Sequence, residues 1–453
     1  MKHLHLIIIF LLCLSCGDSS GETENKEKPY LSINTQEKLV ANPSGFFNLY
    51  ITSNTSWKIE TNASWLRPEK KDGTGNATIK IVYDENSTNK RTGIITLSSN
   101  GLKSVELTIT QSELTFTNPI AGIPDPWIIK HKEYYYICKA QGDGINISRS
   151  GKLSEITATK SVWKAPVDKG NEKPWNVTHV WAPELHRVDG RWYIYYAAGR
   201  PKSELGYYQQ RSGVLRAKTD DPMGEWEDMG MLYTGDNYQE GTKPTIANTY
   251  YAIDLGVFNL NKQLYAVWSG YPEGTSEQIL YIAKMSNPYT ISSKRHIISR
   301  ADQYWELVAS STKINEGPAF LKNKEKNKFF VVYSCNGSWT KNYRLGYVML
   351  SDTLKDPTVR TNWTKSSASV FTRCDETSSV NGVNGVGHCS FTKSPDETED
   401  WIVYHVKNRN DATYESGRST FMQSFKWKSD GTPDFGTPVG WGEKVAIPSG
   451  ESH

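Results

Sequence analysis

The sequence predicts an all-β chain, an immunoglobulin-like β-sandwich followed by a five-bladed β-propeller. Three observations predict it. Aromatic residues make up 12% of the 453 residues, with 15 Trp and 25 Tyr, Gly is frequent at 35, and strong helix formers do not dominate, which favours strands joined by turns. From about Tyr30 to Glu113 short runs alternate apolar and polar residues, and beyond them five strand-like segments return at regular intervals. The length fits two or three domains. Charge is balanced, 52 Lys and Arg against 49 Asp and Glu. With no basic run or aromatic-interleaved basic stripe, this composition argues against a nucleic-acid partner.

Residues 1–16, MKHLHLIIIFLLCLSC, carry one Lys near the start, an apolar stretch from Leu4 to Leu14, and a small Ser15 before Cys16. This is the pattern of a signal peptide, too short to span a bilayer. Its end, LCLSC, resembles a bacterial lipobox, although Cys13 stands where Leu is usual. The resemblance implies a lipid on Cys16 that ties the chain to the outer membrane, on its periplasmic or its surface-exposed face. Residues 17–29 are polar and poor in apolar side chains, as in a flexible tether.

Residues 30–113 hold the runs FFNLYIT, SWKIET, ATIKIVY, TGIITLSS and VELTITQS, separated by Asn, Ser, Gly and Lys. Strict alternation of this kind reads as the strands of a sandwich. Ser56-Trp57-Lys58-Ile59, Ala63-Ser64-Trp65-Leu66, Arg91 to Leu97 and Leu107 to Gln111 resemble the BACON domain. That family is named for a suspected carbohydrate-binding role, and many members act as spacers between a membrane anchor and an enzyme. Trp57 and Trp65 sit within apolar strand patterns, which favours core packing over sugar stacking.

Residues 114–453 are organised by repetition. Tyr134 to Cys138, Trp192 to Tyr196, Leu264 to Trp268, Phe329 to Tyr333 and Trp401 to His405 have middles 58 to 72 residues apart. A turn and another apolar run precede each one, so the repeating unit is a β-hairpin with room for two further strands. Five such units predict a propeller of four-stranded blades. First strands line the axis of a propeller, and the equivalent positions there read as Asp125, Glu184, Asp254, Glu316 and His388. Carboxylates gathered in this way repel and shift one another's pKa, a pattern of active sites more than of stable cores.

Paired carboxylates around a polar cleft suit glycosidic bond cleavage. Asp125 on blade 1 and Glu316 on blade 4 are not neighbours in a five-fold ring. The longer separation this implies, ~6.5–9.5 Å, leaves room for a water and gives inversion. Asp254 on blade 3 adjoins Glu316, and its charge raises the pKa of an acid. Glu316 is then the general acid, Asp125 the general base and Asp254 the modulator.

Asn118-Pro119-Ile120 leading to Asp125-Pro126-Trp127, then Trp181-Ala182-Pro183-Glu184-Leu185, Ile253-Asp254, Glu316-Gly317-Pro318 and Gly387-His388 resemble glycoside hydrolase family 43 from about Phe116 to the C-terminus. The resemblance implies a five-bladed propeller, inversion, and base, modulator and acid at Asp125, Asp254 and Glu316. Leu-Gly follows Asp254 where many members have Pro. The chemistry so implied requires no cofactor. His388 matches a position that in some relatives helps hold a buried calcium or water cluster; a structural His bonding neighbouring strands is the competing reading. Arg418, in GRSTFMQSFKW, matches an Arg that reaches the sugar in the deepest subsite. Trp181 stands where an indole face can pack on a sugar, with core packing the alternative, and Trp127, Trp339 and Tyr343 are weaker candidates.

WAPELH, WSG, EGPAFL and YSC resemble the branch that contains exo-acting α-L-arabinofuranosidases, which implies arabinose-bearing plant glycans as substrate. A β-xylosidase of the same family, acting on xylose-containing glycans, is the rival within the class, and an idle, anchored glycan-binding protein the rival outside it. Besides Cys16, the chain without its signal holds Cys138, Cys335, Cys374 and Cys389. In an oxidising envelope these permit three pairings, among them Cys374 with Cys389, or else buried free thiols. Their spacing does not point to zinc.

Overall fold

A computed structural model describes residues 28–451, apart from 41, 43, 87–88, 206–208, 273, 309–312, 375–381 and 408–416. The expected signal segment 1–16 with Cys16, and most of the tether 17–29, lie outside the described residues. The chain falls into two compact units, Met1–Glu85 with Arg91–Gln111, and Asn86–Lys90 with Ser112–His453. Both are built from strands. Among the described residues helix is limited to the single turns Lys202–Leu205, Tyr304–Glu306 and Arg360–Asn362 and to Gln209.

The first unit is a sandwich of two sheets. One orders the strands Leu31–Ile33, Gly45–Ser53, Ala77–Tyr83 and Leu66–Pro68; the other orders Glu37–Val40, Val105–Gln111, Arg91–Ser98, Ser56–Thr61 and Asp72–Thr74. Glu37–Val40 runs parallel to Val105–Gln111. Because side chains alternate between faces of a strand, Gly45–Ser53 buries every second residue. Leu49, Ile51 and Ile81 of one sheet therefore meet Trp57, Ile59, Leu97, Leu107 and Ile109 of the other in a single core. Trp57 is 2% exposed, and its Nε1–H donates to the carbonyl of Gly75 at 2.9 Å. Its ring leaves no room at Gly73, where a Cβ would stand 2.4 Å from it. Trp57 accordingly has no face to offer a sugar. Trp65 is half-buried, with the Arg91 guanidinium 4.4 Å from its ring centre.

In the second unit the five hairpins expected from the repeats are present. Each extends into an antiparallel sheet of four or five strands, and the sheets follow one another along the chain. Their leading strands are Trp127–His131, Thr178–Val188, Ala252–Leu260, Asn315–Asn323 and Gly387–Lys393. Each leading strand lies against the next, and that of the fifth sheet lies against that of the first. Several bonds join the ends of this circuit. The Ile128 N–H donates to Ser390 Oγ at 3.1 Å, and Ser390 Oγ donates to the carbonyl of Pro126 at 2.9 Å. Thr115–Thr117 pairs with Lys444–Ala446, bringing the start and end of the unit together. Apolar clusters fill the spaces between successive sheets, for example Leu255, Val257, Trp268 and Tyr281 with Tyr195 and Val214.

Trp57→Ala removes a fully buried indole, and large-to-small changes of this kind cost about 3–5 kcal/mol. Amide exchange in Val105–Gln111 of the full chain reads the loss within this unit. A change below about 1 kcal/mol would show that Trp57 is not a core residue.

Candidate active site

The site is built at the heads of the leading strands, where each leaves the regular ladder. Pairing registers shift between Trp181 and Glu184, between Ile253 and Gly256, between Glu316 and Ala319, and between Gly387 and Ser390. Inside each shift one residue takes a positive φ: Ala182 at 38°, Asp254 at 54°, Gly317 at 59° and His388 at 43°, with Asp125 at 49° at the head of the first strand. A bulge of this kind bends the strand and re-aims a side chain. The structure thereby corrects the expected phase. The equivalent positions are Asp125, Ala182, Asp254, Gly317 and His388, so Glu316 precedes its bulge residue and Glu184 follows by two.

That offset gives Glu184 a different setting. It is 1% exposed, its Oε2 lies 2.8 Å from His186 Nε2, and only a glycine fits opposite, since a Cβ on Gly256 would stand 2.3 Å from that oxygen. Burial, reinforced by Asp254, raises its pKa well above the ordinary value.

Asp125, Asp254 and Glu316 are brought together. Asp254 Oδ2 accepts the N–H of Gly317 at 2.9 Å, which ties the heads of the third and fourth sheets. Gly317 is required twice, by its φ of 59° and by the His388 ring, which a Cβ there would approach to 3.1 Å. Both Glu316 oxygens accept: Oε1 from Tyr343 O–H at 2.8 Å and Oε2 from Gln278 Nε2–H at 2.9 Å. Asp125 Oδ1 lies 2.7 Å from Arg418 Nη1, 3.2 Å from His405 Nδ1 and 3.3 Å from His388 Nδ1.

These surroundings divide the carboxylates electrostatically. Burial pushes the Asp125 pKa up, but Arg418, His388 and His405 outweigh it and hold the group well below the usual carboxylate range. Arg418 is the decisive partner, because burial lowers His405 to about 4 and His388 below its ordinary value, leaving both rings neutral near pH 7. Glu316 is raised, by burial first and by Asp125, against the pull of Tyr343, Gln278 and Arg418. Asp254 is raised well above its ordinary value by burial, then Glu316, then Asp125. The expectation that the charge of Asp254 lifts Glu316 is thus refined: burial leads, and the repulsion within the pair weighs on Asp254.

The remaining sequence-predicted residues divide. Trp181 and Arg418 line a cavity of about 360 Å³ together with Asp125, Asp143, His179 and Pro183, a size suited to a small molecule. Trp181 also packs on Ala197, Tyr251 and Ile253. Arg418 bonds Asp125 as well as facing the cavity. His388 joins strands as well as touching Asp125, its N–H donating to Ser334 Oγ at 2.7 Å. Trp127 belongs to the packing, with Nε1–H donating to the carbonyl of Leu185 at 2.8 Å and its ring 4.7 Å from that of His186. Trp339 is half-buried over Gly337. Tyr343 is buried against Glu316 instead of offering a face to a sugar. Gln278 and His405 were not singled out from sequence, although His405 closes the fifth repeat. Cys138, Cys335 and Cys389 are buried free thiols, so the Cys374–Cys389 bridge is not formed.

Calcium needs six to eight oxygen ligands. Around His388 the structure offers one carboxylate already engaged by a guanidinium, and a second imidazole. Among the described residues no cluster of three or more His, Cys, Asp or Glu is arranged to hold a metal ion.

Residues 116–433 match the model of glycosyl hydrolases family 43. The chain belongs to this family. Residues 55–112 match the BACON model, described as a putative binding domain, N-terminal. Over 338 residues, 72% of the chain, it is 34% identical to an extracellular exo-α-(1→5)-L-arabinofuranosidase of Streptomyces avermitilis, covering 64% of that protein. Over 333 residues, 70% of the chain, it is 32% identical to α-L-arabinofuranosidase B of Pyricularia oryzae, covering 61% of it. The chain thus spans less than two thirds of these two relatives. The crystal structure of an α-L-arabinofuranosidase from Lactobacillus brevis superposes with a TM-score of 0.63 at 32% identity, covering 73% of this chain and 98% of that one.

The family 43 unit carries a testable linkage at Asp125. A carboxyl whose pKa is depressed by folding stabilises the fold above its unfolded value, about 3.9, and that contribution is lost as pH falls through the folded value. Arg418→Met removes the permanent cation. The Tm difference between wild type and variant should therefore be largest above about pH 5 and shrink below about pH 4. Thermal unfolding from pH 2.5 to 7 checks this, and a difference independent of pH would show that Arg418 does not stabilise the ionised carboxylate.

Proposed function

We propose that the chain is an inverting, exo-acting glycoside hydrolase that releases terminal α-L-arabinofuranose from plant cell-wall polysaccharides and oligosaccharides. The observation that carries this reading is the convergence of Asp125, Asp254 and Glu316 at the strand heads, with Asp125, which lines the cavity, bonded to Arg418 and held low, and Glu316 raised by burial. Similarity to proteins named α-L-arabinofuranosidases supports the choice of sugar.

In this mechanism Glu316, still protonated, gives its proton to the leaving glycosidic oxygen, while ionised Asp125 takes one from a water attacking the anomeric carbon from the opposite face. Asp254 positions the acid through Gly317 and helps keep a proton on the pair. Arg418, Trp181 and His388 bind the terminal sugar. The cyclic contacts of the leading strands favour reading the five sheets as the blades of a five-bladed propeller, with residues 30–113 a separate BACON sandwich and 114–453 the hydrolase. The signal pattern supports export, as does the word extracellular in the name of a relative. The lipobox-like LCLSC supports anchoring to the outer membrane through Cys16.

Wild type is expected to hydrolyse nitrophenyl α-L-arabinofuranoside in preference to the β-xyloside, and to free only arabinose from 1,5-linked arabino-oligosaccharides. Proton NMR should show the inverted anomer first. Asp125→Asn should lower kcat on both kinds of substrate by at least about 10²–10⁴-fold. Glu316→Gln should do so on the oligosaccharide and spare the good nitrophenyl leaving group. Preference for the xyloside would move the reading to a β-xylosidase. Glycan binding without turnover of either substrate would favour the idle protein.

A further inference from the structure

We propose that Tyr343 and Gln278 are the positioning residues of the acid, fixing both oxygens of Glu316 and setting where its proton can go; this rests on the acid role given to Glu316 above. Tyr343 is 1% and Gln278 6% exposed. Each presents a donor, Tyr343 O–H to Oε1 at 2.8 Å and Gln278 Nε2–H to Oε2 at 2.9 Å. A carboxyl flanked by acceptors would spend its proton on one of them. With a donor on each oxygen, the proton occupies a remaining lone pair and stays available to a substrate oxygen. Burial raises the Tyr343 pKa well above the ordinary tyrosine value, so the phenol remains a donor throughout the working pH range.

Both donors are themselves fixed. Gln278 Nε2–H also donates to Ser269 Oγ at 3.1 Å, and its main chain bonds Lys313 and Asn315, next to Glu316. The Tyr343 ring lies parallel to that of His405, 7° apart with centres 5.4 Å apart, and His405 Nδ1 is 3.2 Å from both the main-chain nitrogen and Oδ1 of Asp125. One stack therefore braces the acid at one end and the base at the other. The stack needs Gly387, because a Cβ there would stand 2.4 Å from the Tyr343 ring.

The test reads the proton affinity of Glu316. Asp254, Asp125, Arg418 and Tyr251 are the ionisable groups that act electrostatically with it, with the His388 ring against Gly317. All of them stay in place in Tyr343→Phe and in Gln278→Met. Donors to a carboxyl favour its ionised form, so losing either should raise the pKa of Glu316. The alkaline limb of kcat/KM against pH should move up by about 0.5–1 unit, the equivalent of one net hydrogen bond. At the optimum kcat should fall about ten- to a hundredfold on arabino-oligosaccharides and less on the nitrophenyl glycoside. Titration of ¹³C-labelled glutamate carboxyls in the full chain, assigned with Glu316→Gln, gives the same pKa without turnover. An upward shift in either variant supports the inference even in a chain that cleaves nothing, where only the functional reading fails. A lowered Tm with an unmoved limb and an unmoved carboxyl titration in both variants, or a downward shift, overturns it.

Discussion

Asp125, Asp254 and Glu316 share one small region with the permanent cation of Arg418, and that imbalance governs the site. Asp254 and Glu316 are almost fully buried and the Asp125 side chain is 17% exposed. Three ionised groups in such a setting would repel strongly at low effective dielectric, and Arg418 offsets one of them. Its guanidinium bonds Asp125, which favours the negative charge there, while burial favours the protonated form on the Asp254 and Glu316 pair. Such a pair titrates as a unit. On the proposed roles, the difference between base and acid is then a matter of where the cation lies, since the groups are chemically alike.

The scaffold achieves this by departing from regular strand geometry at one level of the fold. Left-handed backbone at non-glycine residues costs about 1–3 kcal/mol each and persists where the surroundings over-determine it. Here Asp125, Asp254 and His388 all carry it at the heads of leading strands. The cost is offset across the circuit: the carboxylate of Asp254 accepts from Gly317, Ser334 accepts from His388, and Ser390 bonds both Pro126 and Ile128. Each strained head is thus held by a neighbouring sheet, which is why distant stretches of sequence can be placed within hydrogen-bonding reach.

Much of this was legible in the sequence. The five hairpins announced themselves because their second strands are nearly all apolar, as befits strands buried on both faces. The three carboxyls could be found because they recur near the heads of the leading strands. Glu184 misled, because sequence spacing does not record that a bulge adds residues on one strand only. It therefore fell two positions past its supposed equivalents, where it faces His186 and Gly256. Gln278 left no comparable signal, Tyr343 was legible only as a candidate sugar face, and His405 only as the end of the fifth repeat. They reach the site from segments outside the leading strands, and only the tertiary register brings Gln278 beside Asn315 or His405 opposite Gly387. The cysteines fail as a guide for a related reason, since Cys389 occupies an inward-facing strand position where an apolar thiol packs as a small hydrophobe.

In the proposed reaction the choice of sugar depends on different atoms from the chemistry. A carboxylate held ionised and a carboxyl held protonated serve any acetal of suitable geometry, so Asp125, Asp254 and Glu316 cannot by themselves tell a furanoside from a pyranoside. Discrimination requires shape and hydrogen bonding around the ring. The residues in a position to supply them are the cavity walls, Trp181 and His179 from the second sheet and Asp143 from the turn that opens Gly144–Ser150. Asp143 is tied to that wall, its Oδ1 accepting from Thr178 Oγ1 at 2.9 Å and from the His179 N–H at 3.0 Å. The wall is therefore a braced surface at the join of the first two sheets, separate from the strand heads on which the proposed proton transfer depends.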